Sequence, residues 1–429
     1  MATVRTAENA VRIESERKFA LNGWRGVALV LLAVCCSFWQ LHVHNRVMGP
    51  NYSDLVTRWV GTRAAIAGLD PYSEDMLPDM LRMYYGHYPL TPSDPNPERQ
   101  RFDYPANLVV LLAPLAYFNW RMARVIYLVV TIALLVLGLR GVIEMYPRRW
   151  TRLQIALALA LAVCSWPVLW GLRLQQPTLL VAGFMFLACF CLSRGRERAA
   201  GILLALATVK PQIAVVLLAW ILWWAVLHRA WRLLASFGTT LAVMLLLTEA
   251  VVPHWISRWR ASLAGYGSAT DTASALENLF GHWAGLAFTV LIAGFLCLNL
   301  WRLRRVSADS PEFPVAVGMA FALTVLVIPT HLTMIYNQVL LFPACLFVVQ
   351  AKPADRDSRI VRWVVLAFLC VTFTLPLASV IGETISRPSA FWDALPYFCN
   401  SPLIGAVAMA AAILATRGQK PTRQLLKAE

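Results

Sequence analysis

The sequence predicts an all-α polytopic membrane protein with about twelve transmembrane helices. Three observations predict it. First, 59% of the 429 residues are hydrophobic and 14% are charged, against about 45–50% apolar and about 25% charged in soluble domains. One core of this length cannot hide that excess, so much of it must face lipid. Second, the apolar residues fall into successive runs separated by short polar loops. Third, Lys and Arg gather in alternate loops, "PRRWTR", "SRGRER", "HRAWR", "WRLRR" and "KPADRDSR", and in the tail "TRGQKPTRQLLK". That asymmetry marks the cytoplasmic side. It also accounts for the formal charge of +15 without nucleic acid as a partner.

Residues 1–23 are polar and basic and read as a cytoplasmic segment. Trp24 to His44 is the first span, long enough to be a retained anchor rather than a cleaved leader. An outer loop, 47–104, follows. Pro105 to Phe118 is apolar but too brief to span and reads as re-entrant or interfacial. Further spans are expected at 122–143, 153–171, 178–192, 200–209, 212–227, 231–252, 276–300, 313–330, 336–350, 360–385 and 397–416. Residues 24–416 are thus expected to form one membrane domain in the plasma membrane, surrounded by membrane lipids, and 417–429 a basic tail, with both termini cytoplasmic and the active site extracytoplasmic. The nine cysteines avoid the outer loop between Met48 and Tyr104, so no disulfide framework holds it.

Within that loop "NYSDLVTRWVGTRAAIAGLDPY" is an amphipathic helix with a start and a stop. Ser53 is the expected N-cap and Asp54 the first-turn acid. Leu55, Val56, Trp59, Val60 and Ile66 form the apolar face, and Gly68 with "LDPY" ends it. The helix is expected to lie at the outer interface. Asp54 has two readings. A helix-start carboxylate paired with Arg58 at i+4 is the ordinary one. A general base at the mouth of a membrane cavity is the functional one.

Its neighbours on the outer face tilt the balance. They are Tyr104 in "FDYPAN", Gln176 in "RLQQPTLL", Lys210 between two short apolar runs, Asn278 in "TDTASALENLF", and His331 and Tyr336 in "PTHLTMIYNQ". Each has an ordinary use: an interfacial aromatic, a turn amide, a helix cap, a solvated turn histidine. Lys210 is hardest to explain that way, because an ammonium at a span centre costs about 2.5–3.5 kcal/mol on insertion scales. A lysine held there needs an anionic partner, and a phosphate serves.

The sequence lacks a dinucleotide fingerprint, a P-loop, a zinc-protease helix and a nucleophile elbow. No ligand cluster calls for a metal or another cofactor, and a divalent cation is optional. "SED" with Glu74 and Asp75 is a weak cation signal.

Taken in order, "DLVTRWVGTRAAIAGLDPY", "RFDYPANLVVLLAPLAYF", "QQPTLLV", "ERAAGILLALATVKPQIAVVLL" and a late outer turn with histidine resemble glycosyltransferase family 87. These are polytopic enzymes of the C-type glycosyltransferase fold, related to mannosyltransferases that use polyprenyl-phosphate mannose. The similarity runs from about Asp54 to Gln338, and "AGLDPY" and "LATVKPQ" are its most specific parts. It implies inverting transfer of a hexose, mannose above others, from a polyprenyl-phosphate sugar donor to a lipid or glycan acceptor outside the membrane. Asp54 then corresponds to the family's base and His331 to its histidine near the donor phosphate. The lysine of the family's K-P motif corresponds to Lys210 and its turn glutamine to Gln176. Apart from the resemblance, the outer arginines Arg58 and Arg63 are expected with Lys210 at the donor phosphate, and Tyr104, Asn278 and Tyr336 with Gln176 in the substrate pocket. One departure stands out. The family often has Gly-Gln-x-Asn at the turn, where this chain has Gln175, Gln176 and Thr178. The alternative class is a transporter or lipid flippase, which also uses broken helices. The polar residues gathered on one face, and the lack of an internal repeat, weigh against it.

Overall fold

The computed structural model describes residues 53–91, 100–146, 150–269, 275–328 and 335–350, with isolated positions between 27 and 42 and between 407 and 410. Every regular element among them is helical. Three helices are long and apolar enough to cross a bilayer: Trp120–Met145, Trp231–Val251 and His282–Arg302. Several shorter apolar helices accompany them, consistent with a membrane protein. Most of the first span and of the last two expected spans lies outside the described residues.

Two helices are buried nearly all round, Pro177–Ser193 and Phe313–Val327. A helix apolar on every side belongs inside a bundle, and at 17 and 15 residues these are shorter than a typical span. Pro177–Ser193 packs along Trp120–Met145. Gly138 and Gly183 make that approach possible: a Cβ on Gly138 would lie 3.0 Å from the Gly183 carbonyl oxygen. Small residues let membrane helices come this close. By contrast, Trp231–Val251 and His282–Arg302 expose large apolar residues such as Leu246 and Leu291. Those flanks are where a bilayer would fit.

Several expected spans are broken. The segment expected at 153–171 is two helices, Arg152–Val163 and Trp166–Leu174, bent by 56°. Ser165 is extended between them and Pro167 opens the second, so the hydrogen-bond ladder cannot run through. The segment at 200–209 is a ten-residue helix, Glu197–Leu206, that tightens to a 3-10 turn at Ala207–Val209. At about 1.5 Å per residue it is too short to span. Lys210 then leaves helical space at φ −131°, ψ 75° and Pro211 starts the next helix, Pro211–Leu227. A residue before proline is pushed out of the α region by the ring. The segment at 276–300 is also split, with Gly281 at φ 79° between Ala275–Phe280 and His282–Arg302. The one at 336–350 begins as a 3-10 helix, Ile335–Leu341, before Phe342–Gln350.

The helix expected in the loop after the first span is Leu55–Ile66, and it corrects the expectation of an amphipathic surface helix. Leu55, Val56 and Trp59 are buried as expected, but so are Thr57, Gly61, Thr62, Ala64 and Ala65, while Ile66 is exposed. The helix is packed on most of its circumference, chiefly by Asn107–Ala116, which is the short apolar piece after Tyr104. Trp59 Nε1 donates to the Leu115 carbonyl at 3.0 Å and locks the pair.

Candidate active site

The site grows from the turn between Trp166–Leu174 and Pro177–Ser193. Gln175 closes the first helix in the left-handed region, φ 54°, ψ 44°, and Gln176 is extended before Pro177. A glycine would take that φ without strain. Gln175 takes it and puts its side chain to use: its Oε1 accepts from Ser53 Oγ at 2.6 Å and its Nε2 donates to the Arg124 carbonyl at 3.3 Å. The Asp54 backbone N–H donates to the Leu174 carbonyl at 2.9 Å. These bonds dock the start of the helix Leu55–Ile66 onto the turn. The N-cap of the helix is Asp54 rather than the expected Ser53, and it makes no side-chain cap bond; Ser53 Oγ, one residue earlier, accepts the Leu55 N–H at 3.2 Å instead. The Asp54 carboxylate is left for other work.

That carboxylate accepts a hydrogen bond from Gln176 Nε2 through Oδ2. The other end of the same amide, Oε1, accepts from Lys210 Nζ at 3.3 Å. One amide orientation satisfies both partners, because an ammonium donates and a carboxylate accepts. Lys210 Nζ donates further to Thr178 Oγ1 at 2.6 Å, and the Thr178 hydroxyl donates to Asn337 Oδ1 at 3.1 Å. Lys210 is 4% exposed, and these hydrogen bonds within the described residues end on neutral oxygens. The ring centroids of Tyr336 and Tyr104 lie 5.1 and 5.7 Å from Nζ, close enough for cation–π attraction.

Arg58 flanks the other side. Its guanidinium lies 4.4 Å from the Tyr104 ring centroid and donates through Nη1 to the Asp54 backbone carbonyl. Its Nε is buried without a hydrogen-bond partner among the described residues. The expected i+4 contact between Arg58 and Asp54 is therefore made to the backbone. Burial pushes the Asp54 carboxyl above the usual carboxylate range, and the charges of Arg58 and Lys210 pull back against it. Burial would also raise the Tyr104 hydroxyl, but Lys210 and Arg58 outweigh it and hold that group below its usual value. A raised carboxyl beside a displaced phenol and two cations is the kind of titratable cluster that marks functional sites.

The structure brings together Asp54, Arg58, Tyr104, Gln176, Lys210 and Tyr336. Arg63 stands apart: it is exposed and stacks on Trp59, with 4.8 Å from guanidinium to ring centroid. Asn278 falls in the helix Ala275–Phe280, but its side chain is outside the described residues, as is His331 altogether. Sequence reading passed over Asn337 and gave Ser53 and Thr178 no place in a site. A polar pair, Asn337 and Gln338, inside an apolar run was the available signal for the first. Thr178 stands where the resembling family has asparagine, and a hydroxyl can both accept from Lys210 and donate onward.

Residues 102–329 match the model of glycosyltransferase family 87, more than half of the chain. The chain belongs to glycosyltransferase family 87. No curated protein and no solved structure matches it. Family 87 makes the protein a glycosyltransferase, with a sugar donor and an acceptor as its substrates. The matched region contains Tyr104, Gln176 and Lys210, while Asp54 precedes it and Tyr336 and Asn337 follow it.

Proposed function

We propose that the protein moves a hexose, mannose in the first instance, from a polyprenyl-phosphate sugar to a lipid or glycan acceptor on the extracytoplasmic face of the membrane. Asp54 is the general base. It takes the proton of the acceptor hydroxyl as that oxygen attacks C1 of the donor sugar from the face opposite the phosphate. The C1–O bond to phosphate breaks, the electron pair leaves with the phosphate, and the anomeric configuration inverts. Lys210 and Arg58 receive the charge that the leaving phosphate gains. His331, in the late outer turn, is assigned to the same phosphate.

One observation carries the reading: a single carboxamide, Gln176, stands between the Asp54 carboxylate and the Lys210 ammonium. A direct ion pair would satisfy both charges and leave neither for a substrate. The spacer keeps a base and a cation in one site but out of contact, which is what transfer from a phosphate requires. Lys210 spends its N–H donors on neutral groups, Gln176, Thr178 and the Tyr104 hydroxyl, so a phosphate oxygen would displace a neutral partner rather than a carboxylate. A donor that arrives within the bilayer also explains the lack of a nucleotide-binding motif.

The test is transfer by the purified protein in lipid, supplied with a radiolabelled polyprenyl-phosphate sugar and candidate acceptors. Asp54→Asn keeps the shape and removes the base. It should lower turnover by about a hundred- to ten-thousand-fold with normal expression. Unchanged transfer in that variant removes Asp54 from the chemistry. Movement of intact donor across the bilayer without sugar transfer would favour a flippase instead.

A further inference from the structure

Tyr72 leads from the site to a second feature. Its hydroxyl donates to the Tyr104 carbonyl at 2.7 Å, and Tyr104 is the ring that Arg58 and Lys210 approach. Tyr72 also lines a cleft of about 340 Å3 between the outer loop and the helix Trp255–Ala269. The volume is at the lower end of the range of about 300–1,000 Å3 typical of ligand pockets.

The cleft has an apolar floor of Tyr72 and Leu77, both half-buried, and exposed Ala261, while Phe102 and Met80 also line it but are almost fully buried. Its rim is charged, but the charges are paired. Arg258 Nη1 lies 3.3 Å from Asp70 Oδ2, and Arg101 binds Glu74 through Nη1. Ser262 Oγ donates to the Asp103 carboxylate at 2.9 Å on the same side. Two ion pairs that cancel, and a third carboxylate that accepts from Ser262, leave no positive field for a phosphate and, among the described residues, no cluster of ligands for a metal ion. They do present alternating donors and acceptors around an apolar floor. Sugar hydroxyls both donate and accept, and sugar rings have apolar faces, so a neutral glycan is the matching ligand.

The placing fits as well. Phe102 packs against Gly61, where a Cβ would lie 2.4 Å from its ring. Gly61 follows Asp54 by two turns of the same helix, about 10 Å at 1.5 Å per residue. We propose that this cleft is a subsite for the acceptor, holding neutral sugar units beyond the one whose hydroxyl faces Asp54. The proposal rests on the transferase reading above and names the acceptor as a glycan of more than one unit. Contacts this far from the reacting oxygen orient the acceptor, which is how remote binding energy speeds a reaction.

The experiment uses the full-length protein in lipid nanodiscs, titrated with soluble mannotriose and followed by saturation-transfer NMR. Wild type and Asp54→Asn should both bind it. Ala261→Trp fills the cleft from an exposed position and should weaken binding at least about tenfold, while Ala261→Ser should not. Arg258→Ala removes one rim pair and should weaken it too, which gives a second reading should the tryptophan variant misfold. Binding of the trisaccharide to Ala261→Trp and Arg258→Ala as tight as to wild type overturns the subsite. So does recognition of the sugar only when it carries a lipid anchor. Full transfer by Asp54→Asn would sink the general-base reading and leave this binding comparison to decide the cleft by itself.

Discussion

Two charged regions of this molecule, linked by the hydrogen bond from the Tyr72 hydroxyl to the Tyr104 carbonyl, treat their charges in opposite ways. In the cleft beside Trp255–Ala269 the arginines meet carboxylates directly, Arg258 with Asp70 and Arg101 with Glu74, and the groups are half-exposed or exposed. Around Gln176 the carboxylate and the ammonium are held apart, and Lys210 is buried. Solvated pairs of the first kind contribute little, typically below about 1 kcal/mol. An unpaired buried charge is costly and persists when something else uses it. The difference assigns shape and orientation to the cleft and reactivity to the buried cluster.

Lys210→Met should break the contrast most severely. It keeps the length and the burial but removes the charge, so both donor affinity and turnover should fall, with turnover down by about a hundred- to a thousand-fold. Steady-state kinetics against donor concentration reads both, and an unchanged dependence on donor removes Lys210 from the phosphate. Gln176→Glu should come next. It makes the buried cluster resemble the cleft by giving Lys210 a carboxylate partner, and it sets a second negative charge beside Asp54. The KM for donor should rise about tenfold or more, because a phosphate must now compete for the ammonium. Donor binding as tight as in wild type would show that the spacer's neutrality is irrelevant.

The pH profile sharpens the comparison at smaller amplitude. Burial raises the Asp54 carboxyl, so its proton is lost at higher pH than from a solvated aspartate of pKa about 3.9. The carboxylate is the active form. Activity should therefore fall, as pH drops, on an acid limb displaced upward from the ordinary range, read from kcat/KM against pH. A limb at the solvated value would place Asp54 in water rather than in the cluster.

The smallest expected effect separates conformation from contact at the turn. Gln175→Ala keeps the left-handed strain and loses the bonds to Ser53 and the Arg124 carbonyl. Gln175→Gly loses the same bonds but relieves the backbone. The alanine variant should be less stable than the glycine variant by about 1 kcal/mol. Thermal unfolding in detergent measures it, and equal melting would mean that the φ of 54° carries no strain.

Some of this site could be read without coordinates. Lys210 betrayed itself by its cost in an apolar run, and Lys210-Pro211 announced a chain break that the structure places where the proline ring demands it. Asp54 and Gln176 were legible as polar residues on one side of a bundle. That one amide would join them was not, because they are 122 positions apart in the chain. The burial of Leu55–Ile66 was hidden as well. Its small residues, Gly61, Thr62, Ala64 and Ala65, look polar or neutral in sequence and become core only when Asn107–Ala116 and Phe102 press against them. The break at Ser165 was missed because hydropathy runs through it unchanged while Pro167 interrupts the backbone.

The amino-acid sequence by itself determined the class of the molecule and the ingredients of its site. Apolar runs, basic loops and a few polar residues in costly places follow from transfer free energies, which are local properties of each segment. Tertiary structure alone decided the wiring: which oxygen answers the ammonium, and which charges meet and which stay separated. The physical reason is that hydrogen bonds depend on distance and direction between groups far apart in the chain. Those are set when Pro177–Ser193 is enclosed by its neighbours and the start of Leu55–Ile66 closes on the turn before Pro177.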